Sequence, residues 1–307
     1  MCSQLPLELF ATIFDCLHYD SAALQSCSIV STTFRHLVQG KLFYQVALTI
    51  PPMLESKQED PPFGSAKVLL ELLRKSPHLV NYVRRLDILD NDSLRRDPSM
   101  APWDDAFIQV LSSFQHLTAI SFRQVSYNPI LWQNMPPRMQ STILNALQRP
   151  TVTRIEIFNT IEDFPLSLLL KSRGLEYLRV FDEGTRPTRP ALPKTISFPA
   201  HPIALKRLEL GGCASFFGPA IFTRFHDSQL FDLSSLEYLF IRGGGLLASD
   251  QWRKEIEELL QNVARSLKSF HYFLPGWARH LSGAVNDVDL SIPFENLPPL
   301  LSFRFSF

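Results

Sequence analysis

Side chains capable of covalent or metal chemistry occur in this chain, but their spacing completes no catalytic template. The four cysteines, Cys2, Cys16, Cys27 and Cys213, form no C-x-x-C pair, and the eight histidines lack the i, i+4 spacing that sets two imidazoles on one helix face. Asp90-Asn91-Asp92 and Asp287-Val288-Asp289 lack the closing Glu of a calcium loop and read as solvated turns. Gly243-Gly244-Gly245 is followed by LLASD, with no Lys or Ser/Thr placed for a phosphate, and reads as a loop closing a strand. G-x-S-x-G, H-E-x-x-H, G-x-x-x-x-G-K-[ST] and G-x-G-x-x-G are all absent. The sequence therefore implies no catalytic residue, no metal and no cofactor.

Recognition by aromatic and guanidinium groups is better supported. Tyr177, Arg179 and Phe181 stand at alternate positions, as do Arg207 and Glu209, then Tyr238, Phe240 and Arg242, with His271 further on. On a strand, alternate residues share a face. Tyr and Arg concentrate at the centres of protein-binding surfaces, so these nine residues define the expected docking face for a protein substrate. Such a face exists only if the strands carrying it lie side by side in register.

A recurring hexapeptide supplies those strands. An L-x-x-L-x-L pattern with conservative replacements appears at Val83, Leu117, Val152, Leu175, Leu205, Leu236, Leu267 and Leu300, with starts 23 to 35 residues apart. Helical periodicity falls between several of them, over 66–74, 105–114, 139–147, 166–171 and 255–266. Strand and helix thus alternate, and the central outward positions read Asp87, Ser121, Glu156, Arg179, Glu209, Phe240, His271 and Arg304.

The first 50 residues are organised differently. Pro6 suits the first position of a helix and Glu8 complements its positive end, while Leu9, Phe10, Ile13, Phe14 and Leu17 recur at spacings of three and four. Asp20 or Ser21 can cap a second helix that carries Leu24, and Ser31 or Thr32 a third that carries Phe34 and Leu37. Three short helices cannot bury all the apolar side chains they carry, so either the rest of the chain or a partner must cover them. Pro51, Pro52, Pro61 and Pro62 around ESKQED then read as a stiff, solvated connector. The expected organisation is a helical module over 1–50, a Pro-rich linker over 51–64 and a repeat domain over 65–307.

The residues of the helical module resemble an F-box. Leu5-Pro6-x-Glu8-Leu9-x-x-x-Ile13-Phe14-x-x-Leu17 follows the opening motif of that family, and Val30-Ser31-x-x-Phe34-Arg35-x-Leu37 its close. The longer stretch from His18 to Ala23 is similar to fungal members. The resemblance implies a module that docks a Skp-family adaptor through Leu5, Pro6, Glu8, Leu9, Ile13, Phe14, Leu17, Leu24, Val30, Ser31, Phe34 and Leu37, and through that adaptor a cullin. The second half resembles a degenerate leucine-rich-repeat array of the kind fused to F-boxes. That family's ninth-position Asn or Cys is met by Asn91 and Cys213 but not by Val125, Glu183, Gly244 or Pro275. Together they imply an α/β chain, an F-box followed by an irregular solenoid with a parallel sheet, acting as the substrate receptor of a ubiquitin ligase. The alternatives are a ligase-independent F-box scaffold and a doubly wound α/β enzyme with an unrecognised site.

Composition limits the remaining partners. Thirty Lys and Arg against 30 Asp and Glu give a formal charge of zero, so nothing global attracts nucleic acid or anionic lipid. The N-terminus lacks the basic and long apolar regions of a leader, no window approaches a membrane span, and the cysteine usage suits a reducing cytoplasmic or nuclear compartment. The last apolar strand, SFRFSF, ends the chain without a visible cap, which leaves open whether the C-terminus is complete.

Overall fold

The hexapeptides become equivalent rungs of one sheet. The computed structural model describes residues 6–17, 20–50, 66–90, 105–124, 130–132, 135–158, 161–162, 164, 166–182, 202–212, 231–242, 259–273 and 302–306. Its strands are β1 (Gln45–Ile50), β2 (Arg85–Asp90), β3 (Ala119–Gln124), β4 (Ile130–Leu131), β5 (Arg154–Phe158), β6 (Ile161–Glu162), β7 (Tyr177–Asp182), β8 (Ile203–Ala204), β9 (Arg207–Gly212), β10 (Phe231–Asp232), β11 (Tyr238–Arg242), β12 (Ser269–Phe273) and β13 (Ser302–Ser306). Nine of them form one sheet in the order β1-β2-β3-β5-β7-β9-β11-β12-β13, and every neighbouring pair is parallel. The short strands pair separately, β4 with β6 and β8 with β10.

Sheet order equals chain order throughout. A doubly wound sheet reverses its order at a switch point, and these nine strands do not reverse. The entry to each rung also repeats. The carbonyls of Tyr44, Arg84, Thr118, Thr153, Glu176, Lys206 and Glu237 each accept from two consecutive N–H groups of the next rung, at 2.7 to 3.1 Å. A single backbone motif thus sets the register seven times over.

Inward residues of the rungs make the core. All three apolar positions of the seven hexapeptides from Val83 to Leu267 are buried, for example Leu117, Ile120 and Phe122, or Leu236, Leu239 and Ile241. They share one continuous cluster with Leu73, Phe107, Val110, Leu111, Met139 and Ile143 from α4 (Ala66–Lys75), α5 (Asp105–Ser113) and α6 (Pro137–Leu147). These helices lie where the 3.6-residue periodicity put them, within two residues at each end, and the expected 166–171 helix is a tighter 3-10 segment, Leu166–Lys171. Residues 259–263 provide helix inside the expected 255–266. The eighth hexapeptide supplies β13, whose backbone pairs in register with β12, Phe303 with Phe270 and Phe305 with Tyr272. Asn91, Cys213, Gly243 to Gly245, Asp287 to Asp289 and the connector prolines fall outside the described residues.

The N-terminal module consists of α1 (Leu7–Cys16), α2 (Ser21–Ser28) and α3 (Thr32–Leu42). Asp20 caps α2 by accepting from the Ala23 N–H at 2.9 Å, and Ser31 caps α3 by accepting from that of Phe34 at 3.1 Å. Pro6 occupies the cap position before α1 rather than the first helical position: its ψ of 145° is extended, and helical backbone begins at Leu7. A larger difference follows α3. The residues after Leu42 leave the helix, and Gln45–Ile50 pairs along its length with Arg85–Asp90, so the sheet begins before the connector prolines. Phe43, Val46 and Leu48 pack in the sheet core as one further rung. Only Phe43 and Tyr44 separate the module from the sheet, and Gly40 on α3 faces the Tyr82 ring.

Candidate functional site

Two surfaces stand out, one apolar and one charged. On the helical module Phe14, Leu24 and Val38 are buried, backed by Phe10, Leu17, Cys27, Phe34, Leu37 and Leu42. The Phe34 ring closes this small core, with its centroid 4.7 Å from Phe10 and 5.3 Å from Phe14. Helices of this length leave the other side of each stripe with nothing to pack on. Leu7 is 46% exposed, Leu9 49%, Ile13 49%, Ile29 79% and Val30 68%. Among the described residues no other part of the chain covers them.

The twelve module residues singled out by sequence therefore separate by direction. Leu9, Ile13 and Val30 point outward together with Pro6 and Glu8. Phe14 and Leu24 point into the module, and Leu17, Phe34 and Leu37 line its half-buried edge, where they hold the helices in place. Ser31 is exposed and spends its hydroxyl on the α3 cap. Leu5 lies outside the described residues. Sequence reasoning missed Leu7 and Ile29, which extend the outward face; both sit beside motif positions, where three-and-four spacing assigns no direction.

The second surface is the face of the sheet opposite α4, α5 and α6. Register places the expected central row straight across it: Asp87 pairs with Ser121, Ser121 with Glu156, Glu156 with Arg179, Arg179 with Glu209, Glu209 with Phe240, Phe240 with His271 and His271 with Arg304. The expected face is thus assembled by the fold. Its interior is not the mixed solvated surface that the residue types suggest. Asp87, Glu156 and Glu209 are only 4%, 1% and 4% exposed.

Buried carboxylates need compensation, and arginines two residues away or on nearby strands supply it. Asp87 Oδ1 accepts from Arg85 Nε at 3.2 Å and from the Ser121 hydroxyl at 2.7 Å, and Gln45 donates to its other oxygen. Glu156 Oε1 takes Arg154 Nε at 2.5 Å and faces Arg85 Nη2 at 3.6 Å. Arg85 reaches Glu156 across the intervening β3, where the residue in register with it is the small Ala119. Glu209 Oε1 accepts from Arg207 Nη2 at 2.6 Å and from the Tyr177 hydroxyl at 2.8 Å, while Arg179 Nε lies 3.1 Å from Oε2.

Aromatic rings fill the spaces between the guanidinium groups. Arg207 lies 3.9 Å from the Tyr238 centroid and 4.9 Å from that of Tyr177, Arg154 lies 4.3 Å from Tyr177, and Arg179 4.5 Å from Phe181. Phe181 in turn stacks on Phe158 at 5.7 Å and leans on Phe240 at 6.0 Å. Gly211 makes this possible: a Cβ there would run into the Phe181 ring. Burial pushes the Tyr177 hydroxyl up to about 12, helped by the hydrogen bond to Glu209, and burial also raises that of Tyr238. Both phenols stay neutral donors at ordinary pH.

The expected docking residues also divide. Tyr177 and Phe181 are buried beneath the arginines, so they support the face. Arg179, Tyr238, Phe240, Arg242 and His271 are half-exposed and Arg207 is exposed, so they present it. Sequence reasoning passed over Arg85, Arg123 and Arg154, although each lies two residues from a named central position. Among the described residues there is no group of three or more His, Cys, Asp or Glu placed to hold a metal, and no helix is long and apolar enough to cross a membrane.

Comparison with known proteins bears on the first surface. The family described as F-box domain matches residues 2–46, the segment that holds α1, α2 and α3. No curated protein and no solved structure matches the chain.

Proposed function

We propose that the protein is a substrate receptor of a Skp-cullin-F-box type ubiquitin ligase. Its helical module docks a Skp-family adaptor, and its parallel sheet, an irregular leucine-rich-repeat array, holds a protein substrate on the charged face. The observation that carries this reading is the uncovered apolar surface of Leu7, Leu9, Ile13, Ile29 and Val30, within the segment that matches the F-box domain. At about 1.5–3 kcal/mol for each large side chain fully removed from water, five such residues give a strong drive to bind an apolar partner surface.

The protein contributes proximity rather than chemistry. A cullin joins through the adaptor, and a substrate held on the sheet is brought near a ubiquitin carrier, so its effective concentration there rises. The short join between α3 and β1 suits this role, because two residues leave little room for the sheet to swing away from the module. No cofactor takes part, and the proposed setting is the reducing cytoplasm or nucleus. The leucine-rich-repeat reading draws on strands in chain order, one backbone motif at every entry and helices packed on one face.

Pull-down with a purified Skp-family adaptor tests the first half. Ile13→Asp/Val30→Asp changes only outward residues, so capture should be lost while the melting temperature holds. Retained capture would refute adaptor docking at this face. For the second half, co-purification of client proteins from cells should fall with Tyr238→Ala/Phe240→Ala and persist with Lys206→Ala. Lys206 stands at the rim, bridged to Glu176 at 2.9 Å. Equal losses from both would remove the sheet face as the docking site.

A further inference from the structure

The charged face of the sheet is layered, and the layers differ in sign. Asp87, Glu156 and Glu209 form the lower layer, almost wholly buried. Arg85, Arg123, Arg154, Arg179 and Arg207 lie over them, one each on β2, β3, β5, β7 and β9. Five guanidinium groups over three carboxylates leave this row two positive charges in excess. Water meets mainly the cationic layer, because the side chains of Arg123, Arg154 and Arg207 are 42%, 37% and 45% exposed.

From this layering we infer that the row binds an extended acidic segment of a partner protein, with unmodified Asp and Glu carboxylates seated on the guanidinium forks. The inference rests on the docking reading of the sheet face and adds the chemical class of the occupant. Each fork carries five N–H donors and spends only part of them on the carboxylates beneath, so donors remain for a second anion. The forks are also set in advance. Arg154, Arg179 and Arg207 stack on Tyr177, Phe181 and Tyr238 and pair with the carboxylates below, which restricts their rotamers before any partner arrives and lowers the entropic cost of binding.

Distribution of the charge selects the kind of anion. The row crosses four strand spacings, about 19 Å at about 4.8 Å each, and no single point gathers all five guanidinium groups. A lone phosphate would use one end of the row. A segment with a carboxylate at every second residue, about 7 Å apart when extended, would place several along it.

Selection from short-peptide pools against the full-length chain tests this. One pool carries Asp or Glu at every second position, the matched pool carries Asn or Gln there, and a third is neutral apart from one phosphoserine. The acidic pool should be retained at least about tenfold over its amide match, an advantage that high salt removes. Arg154→Gln should cut that retention about tenfold. Arg123→Gln should cut it less, and because Arg123 is 42% exposed and meets its carboxylate only at 3.9 Å, it provides a variant that folds. Adaptor capture and the melting temperature serve as folding controls for both.

Equal retention of the acidic and amide pools, with both lost in Tyr238→Ala/Phe240→Ala, would overturn the acidic occupant while leaving the docking reading in place. Retention of the phosphoserine pool above the acidic pool would overturn it in favour of a point anion. Retention of none would also overturn it, and the client co-purification described above separately decides whether the face docks anything.

Discussion

Among the described residues of the helical module three side chains, Phe14, Leu24 and Val38, are buried, whereas in the sheet all three apolar positions of the seven hexapeptides from Val83 to Leu267 are. Among its described residues the module leaves five large apolar side chains exposed; the sheet exposes charged groups and sets arginines beside the carboxylates that it buries. The contrast follows from size. A forty-residue bundle has too little interior for its own stripes, while stacked rungs extend one core indefinitely. The exposed apolar surface of the module is what the proposed adaptor docking rests on. In the sheet the buried carboxylates have their partners within the chain, in arginines of the same or nearby strands.

Phe122→Ala should produce the largest change in stability, about 3–5 kcal/mol, because the ring is fully buried between sheet and helices. Phe14→Ala should instead abolish adaptor capture and leave the main denaturant transition of the sheet near its original midpoint. A shift of that transition as large as with Phe122→Ala would mean that the two cores unfold as one, and the contrast would fail. Next comes Glu156→Leu, which leaves Arg85, Arg154 and Arg179 without their shared anion. Because these arginines reach water, the loss should be about 2–3 kcal/mol, below that for a fully buried pair, as read by urea unfolding. An unchanged midpoint would show that the charge layer adds nothing to the stability of the sheet.

Smaller still is Ser31→Ala. Loss of the α3 cap should cost about 1 kcal/mol, confined to the module, and should weaken adaptor binding without moving the sheet transition. The smallest effect is a matter of pH. Tyr177 in the folded chain ionises near 12, whereas an unfolded tyrosine does so near 10. The folded state thus holds its proton longer, so this contribution is complete below pH 10 and is lost as pH rises towards 12. Tyr177→Phe should flatten the fall in stability across that window; an identical slope would place the hydroxyl outside the Glu209 network.

Most of the scaffold could be read in advance. Hexapeptides at Val83 through Leu300 became strands, and α4, α5 and α6 appeared where apolar periodicity put them, because both signals arise from burying one side of a short element. β1 was hidden. Phe43-x-x-Val46-x-Leu48 is the same hexapeptide with an aromatic lead, but it continues the apolar run of α3 and so fell inside the expected helical module over 1–50. A search that admitted Phe at the first position would have found it.

The site was legible in membership and illegible in depth. Spacing placed Asp87, Glu156, Arg179 and Glu209 in one row, since alternate strand residues must share a face. Spacing could not show that the three carboxylates among them are almost wholly buried, with arginines beside them. Nor could it show that Tyr177 and Phe181 are buried with arginines over their rings.

The sequence by itself determined the local order: where helices begin and are capped, which residues form strands, and which side of each is apolar. Those properties depend on residues within a few positions of each other. Only the tertiary structure decided that the rungs stack in chain order from β1, that arginines on five strands meet over three buried acids, and that Leu9, Ile13 and Val30 are left uncovered among the described residues. Each of these depends on which distant segments arrive at the same place, and on the room that remains once they have packed.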